Sequence, residues 1–167
     1  MTRNGLTVRE QAENDEKAEN NTIIISGGDA YDVYAAVTGG GDAVGNTAQM
    51  SGGEVAYLGG AATDYGDGDD GSAINNKVIM SDGKAQEVVG GEAFGTGIVQ
   101  GNGVEMSGGT AQNLYGGATY NSSATGNYVE ISGNAIVTGS GDNGYEEGGD
   151  RITNKGVYAV SYTHLRA

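Results

Sequence analysis

The 167-residue chain has no cysteine, proline or tryptophan, a single phenylalanine and a single histidine, His164. Without cysteine there are no disulfides and no thiolate metal sites. With histidine nearly absent as well, a Ser-His-Asp or Cys-His machine has no parts to work with. Basic residues are also scarce, 8 against 22 acidic, for a formal net charge of −14. Such an acidic surface repels nucleic acid and anionic membranes, so neither is expected as a partner. No run of 18 apolar residues occurs, so no helix long enough to span a bilayer is expected. Residues 1–20 (MTRNGLTVREQAENDEKAEN) lack the apolar segment of a signal peptide, so export would need a segment outside this sequence.

What the chain has in quantity is glycine, 33 residues. Flexible low-complexity sequence of that richness would also carry proline and no repeat. Here a signature recurs: Asn, any residue, apolar, any residue, Ile or Met, then Ser and two small turn residues. It starts at Asn21 (NTIIISGG), Asn46 (NTAQMSGG), Asn76 (NKVIMSDG), Asn102 (NGVEMSGG) and Asn127 (NYVEISGN), with a decayed sixth start at Asn154 (NKGVY). Successive starts differ by 25, 30, 26, 25 and 27 positions, by subtraction.

Within each signature the apolar positions alternate with period two, which predicts a half-buried strand. One inward column is Ile23, Ala48, Val78, Val104 and Val129. The next is Ile25, Met50, Met80, Met106 and Ile131, holding three of the four methionines. Between them Ile24, Gln49, Ile79, Glu105 and Glu130 face solvent. Four residues after each Ser comes a second inward column, Ala30, Val55, Ala85, Ala111 and Ile136. An apolar pair then precedes two small residues: Val33-Tyr34, Tyr57-Leu58, Val88-Val89 and Leu114-Tyr115. A third short element ends each repeat at Ala43, Ala73, Val99 and Ala124. The residue before the signature Asn is Gly45, Asn75, Gly101 or Gly126, types that tolerate a left-handed turn.

Two or three short strands with Gly-marked corners in about 25 residues make one rung of a solenoid, which buries its apolar face only by stacking on its neighbours. The expected fold is therefore all-β, a right-handed parallel β-helix of five to six rungs. Rungs spaced by about 4.8 Å give a rod roughly 25–30 Å long. The aligned Asn residues should form a ladder of side-chain amides along it. Residues 1–20 read as a polar leader or an incomplete first rung, residues 21–159 as the solenoid. Any helix longer than two turns is expected only within residues 7–18.

The Asn-initiated strand, Ser-Gly-Gly, the alanine column and the Val-Tyr-like pair before two small residues together resemble the passenger repeats of bacterial autotransporters (type V secretion). The resemblance covers residues 21–139. It implies an extracellular or cell-surface location and a tendency toward adhesion, aggregation or display. Residues 160–167 (VSYTHLRA) resemble the translated end of a transposase adapter used in short-read sequencing libraries, which would make His164 foreign to the natural chain.

Four places in the sequence are candidates for chemistry. Residues 64–71 (DYGDGDDG) hold four aspartates, a potential calcium loop, but no register fits the EF-hand frame, and a solvated acidic loop is the expected role. Gly27, Gly28, Asp29, Ala30, Tyr31 and Asp32 approach the calcium-binding nonapeptide of toxin β-rolls without its nine-residue period. Residues 139–150 (GSGDNGYEEGGD) form a second acidic stretch that interrupts the fifth rung, either a binding loop or a spacer. Tyr115, Tyr120 and Tyr128 offer a carbohydrate platform, although Tyr34 and Tyr115 share a repeat column, which packing explains. The basic residues outside 160–167, namely Arg3, Arg9, Lys17, Lys77, Lys84, Arg151 and Lys155, form no motif of a polysaccharide lyase. The sequence thus nominates no catalytic residue, no cofactor-binding residue and no metal ligand. The expected function is a non-catalytic stalk or adhesive fragment of a larger exported protein. Its expected partners are a host-surface or extracellular glycan or protein, or a second copy end to end. The alternative is a polysaccharide-acting β-helix enzyme or a phage tail-spike fragment.

Overall fold

The computed structural model describes residues 7–12, 16–63, 70–119, 122–139 and 157–158. Every regular element among them is a strand, and every strand pairing is parallel. The chain is a parallel β-solenoid in which the five signature strands are separated by four turns of the coil.

Three long bent strands, Thr22–Thr38, Thr47–Gly59 and Lys77–Val89, stack in order. The fourth rung continues them as Gly103–Met106 and Thr110–Tyr115, and the fifth as Tyr128–Ile131 and Ile136–Val137. The short strands Ala62–Thr63, Glu92–Ala93 and Ala118–Thr119 extend the same sheet around a corner. A second, five-stranded sheet closes the coil: Ala18–Glu19, Ala43–Val44, Ala73–Ile74, Val99–Gln100 and Ala124–Thr125.

Both inward signature columns stand as the periodicity predicts. Ile23, Ala48, Val78, Val104 and Val129 are in register, as are Ile25, Met50, Met80, Met106 and Ile131. Met50, Met80 and Met106 are sealed from solvent. Each such side chain contributes roughly 1.5–3 kcal/mol by leaving water. Val33, Leu58, Val88 and Leu114 form the opposing wall of the same core.

The Asn column is an inward ladder. Asn46, Asn76, Asn102 and Asn127 are at most 1% exposed. Each Oδ1 accepts the backbone N–H of the preceding ladder Asn, at 2.8–2.9 Å. From Asn76 onward it also accepts the preceding Nδ2 at 2.9–3.0 Å. Each Nδ2 donates in addition to a carbonyl of the five-stranded sheet one rung back: Ala18, Ala43, Ala73 and Val99. The amides therefore stitch the two sheets together, and they satisfy buried backbone groups that would each cost about 1–3 kcal/mol if left unpaired. The residues before the ladder Asn are Asn20, Gly45, Asn75, Gly101 and Gly126, all at positive φ. A Cβ on Gly45 would lie 2.8 Å from Asn20 Oδ1, and one on Gly101 2.3 Å from Asn75 Oδ1. Gly45 and Gly101 thus leave room for the amide of the rung before.

One possibility left open by the sequence is closed, and three details depart from the sequence reading. Residues Thr7–Ala12 are a strand paired with Thr22–Thr38, so the helix allowed within residues 7–18 does not form over that stretch. In the fifth rung Val137, not Ile136, pairs with Ala111; Ile136 pairs with Thr110 and is 56% exposed. The cause is local. Rungs one to four turn at a left-handed glycine two residues after the Ser (Gly28, Gly53, Gly83, Gly109), whereas the fifth uses Gly133, one residue after Ser132. The early turn, closed by Ala135 N–H on Ser132 O at 3.3 Å, shifts the chain by one.

In the second rung, Leu58 takes the place of Val33 but Gly59 takes that of Tyr34, so the pair Tyr57-Leu58 sits one step out of register. Finally, the sixth start at Asn154 lies outside the described residues, and Val157–Tyr158 stack not as a signature strand but on Leu114 and Tyr115. They extend the pairing of the fifth rung with Thr110–Tyr115 that Ile136–Val137 begin.

Candidate functional site

Where the sheet turns the corner after Tyr34, two walls of the solenoid face each other on its outer side. One wall carries the column Asp32, Tyr57, Glu87 and Asn113 and the next column, Tyr34, Gly59, Val89 and Tyr115. The other carries Val37, Ala62, Glu92 and Ala118. Tyr34, Val37, Ala62 and Val89 are buried there, with Phe94, Tyr115 and Ala118 packed against them. A second apolar cluster thus lies outside the core, with a carboxyl group, Glu92, set among alanines.

Tyr34 and Glu92 are joined across two rungs. The tyrosine ring lies over Gly59, where an added Cβ would come within 2.2 Å of it. From there its hydroxyl donates to Glu92 Oε1 at 2.7 Å. Burial pushes the Glu92 carboxyl up to about 7; the Tyr34 hydrogen bond opposes this, and the charges of Glu87 and Asp32 add to it. Burial likewise raises Glu87. A carboxyl half-protonated near neutrality, beside two further acids, is able to give and take a proton.

The outer face of the signature strands has its own polar group. Tyr128 lies over Gly103, and its hydroxyl donates to Glu105 Oε1 at 3.0 Å. Lys77 Nζ meets the same oxygen at 2.7 Å. The Lys77 hydrogen bond holds Glu105 below the ordinary carboxylate value, against its partial burial. Above this group the column ends at Ile24, 70% exposed.

The candidate places named by the sequence do not converge. Residues 64–69, Tyr120, residues 140–150 and the bases Arg3, Arg151 and Lys155 lie outside the described residues. Asp29 stands in a column with Glu54, Lys84 and Thr110. Asp32, from the same hexapeptide, belongs instead to the corner. Tyr115 and Tyr128 sit on different faces and form no common platform. Lys17 pairs with Asp42 at 3.0 Å. No group of three His, Cys, Asp or Glu side chains is placed to hold a metal ion among the described residues.

The Tyr34–Glu92 pair was not foreseen. Its one signal in the sequence is that Glu92 interrupts a column otherwise made of Val37, Ala62 and Ala118. No family model matches the chain, and no curated protein or solved structure matches it either.

Proposed function

We propose that this chain is a non-catalytic extracellular segment, a stalk or adhesive stretch of a larger exported bacterial protein of the autotransporter-passenger kind. The observation that carries this reading is the continuous ladder from Asn21 to Asn127. Each buried ladder Asn is spent on holding one rung to the next, and the outer columns change from rung to rung. A rod built this way presents a long, varied, acidic surface, and shallow contacts along it add through avidity. One feature favours a polysaccharide-acting enzyme instead: Glu92, which burial raises to about 7, stands on the wall facing the column of Asp32 and Glu87, and glycoside hydrolysis works with two carboxyl groups.

One assay separates the two. The purified protein is incubated with acidic and neutral polysaccharides and with cells, with and without calcium. Retention on cells or glycans without new reducing ends or unsaturated sugars is the expected result for an adhesin, and no retention that for a plain stalk. Turnover that disappears in Glu92→Gln would overturn the proposal in favour of the enzyme.

A further inference from the structure

Of the five ladder asparagines, four are followed by Thr22, Thr47, Lys77 or Tyr128, and one, Asn102, by glycine. Asn-Gly is the dipeptide most prone to deamidation, because no side chain shields the following nitrogen. That nitrogen attacks the asparagine Cγ, the side-chain nitrogen leaves as ammonia, and a succinimide forms. Water then opens the ring to aspartate or isoaspartate. The structure explains why glycine is nevertheless present: a Cβ on residue 103 would lie 2.2 Å from Cζ of the Tyr128 ring stacked over it.

The folded chain holds every participant in this reaction. The attacking nitrogen of Gly103 donates to Asn76 O at 2.9 Å. The departing Nδ2 of Asn102 donates to Ala73 O at 2.8 Å and to Asn127 Oδ1 at 3.0 Å. Its Oδ1 accepts from the backbone N–H and Nδ2 of Asn76, at 2.8 and 3.0 Å. Asn102 is fully buried, so the water needed for ring opening is kept away too.

We propose that Asn102–Gly103 is a fold-gated deamidation site, closed in the native solenoid and open in the unfolded chain, whose reaction is a one-way exit from the native state. The product cannot re-enter the ladder. An aspartate there faces Ala73 O and Asn127 Oδ1 with acceptors where two donors stood, and it is a charge in a dry stack. Isoaspartate, in addition, inserts a methylene into the backbone and breaks the register. The inference stands independently of what the rod binds.

The sequence supplies its own comparators, the pairs Asn4–Gly5 and Asn143–Gly144. The whole chain is held at mildly alkaline pH in buffer or in concentrated urea and sampled by peptide mapping for the mass gain of deamidation. In urea, Asn102 should convert at the pace of Asn4 and Asn143; in buffer it should be slowed at least about tenfold relative to urea. On removal of urea, chains altered at residue 102 should be missing from the refolded fraction. Equal rates at Asn102 in buffer and urea, or altered chains that refold with the native melting temperature, would overturn the proposal. The double variant Gly103→Thr/Tyr128→Thr restores the Asn-Thr pair of the second rung. It should fold, and Asn102 should then persist in urea while Asn4 and Asn143 are lost; equal loss at all three would overturn the chemistry assigned to Gly103.

Discussion

Single side chains in this solenoid differ in worth according to which way they point and what they meet. Met80 lies fully inside, between Met50 and Met106. Met80→Asp places an unpaired charge there and should cost several kcal/mol, read as a lower urea midpoint. Glu130 is exposed, and Glu130→Lys should stay within about 0.5 kcal/mol. Glu105 points outward as its alternation predicts, but alternation says nothing of its neighbours, Lys77 and Tyr128. Glu105→Lys loses both bonds and sets a like charge beside Lys77, so its cost should fall between the other two, about 1–2 kcal/mol. Equal midpoints for all three variants would refute the inward and outward assignments.

Glu92 sets the pH response. Its folded value, about 7, lies above the ordinary 4.5, so the folded state holds the proton more tightly than the unfolded state does. The contribution is therefore fully present below pH 4.5 and is lost as pH rises through 7. It amounts to at most roughly 3 kcal/mol, since the side chain keeps some solvent contact. Glu105 acts oppositely: its lowered value contributes stability above 4.5 that is lost in stronger acid. Stability should therefore peak near pH 5 and decline toward pH 8. In Glu92→Gln the decline between pH 4.5 and 7 should largely vanish; an unchanged slope in thermal melts across that window would refute the assignment.

Among whole strands, legibility follows periodicity. The signature strands were readable because Asn, apolar and Ser positions recur with the rung, and each rung sits in the same surroundings. The second segment was readable only in part. Whether Tyr57 or Gly59 aligns with Tyr34 depends on a ring crossing between rungs, and the shift to Val137 depends on which residue turns left-handed. Glu92 was illegible as a site because its burial comes from two walls meeting in space, which spacing along the chain does not encode. The crossing of Tyr34 over Gly59 is open to a double-mutant cycle. Gly59→Ala should cost more than about 2 kcal/mol through overpacking against the ring, and most of that cost should disappear in a Tyr34→Ala background. Additive effects in urea melts would show that the ring and the glycine do not meet.

At the scale of the molecule, each rung touches chiefly its neighbours, so stability is a near-sum of rung and interface terms. Deleting residues 76–101 joins Asn75 to Asn102 and keeps a left-handed residue ahead of a ladder amide. The shortened chain should retain its β circular dichroism and cooperative melting at a lower temperature. Since Glu92 leaves with the rung, the decline of stability between pH 4.5 and 7 should go too. A deletion variant that is unfolded at every temperature would show that the rungs are not modular.

The closure beside the corner has a consequence for how such a chain can diversify. In the first rung Thr38 Oγ1 donates to Gly41 O across 3 positions, and in the second Thr63 Oγ1 donates to Gly71 O across 8. A Thr-to-Gly bond of the same kind brackets both stretches of sequence, and the five additional residues match the excess of the 30-residue repeat over the 25-residue one. Length at this point is uncoupled from the ladder: Asn46 and Asn76 meet as Asn76 and Asn102 do. Insertions here leave the ladder contacts in place, so length at this point can change without altering the stacked strands. A foreign peptide grafted between Thr63 and Asp70 should leave the melting temperature within a few degrees of the parent, whereas the same peptide placed after Met80 should abolish folding.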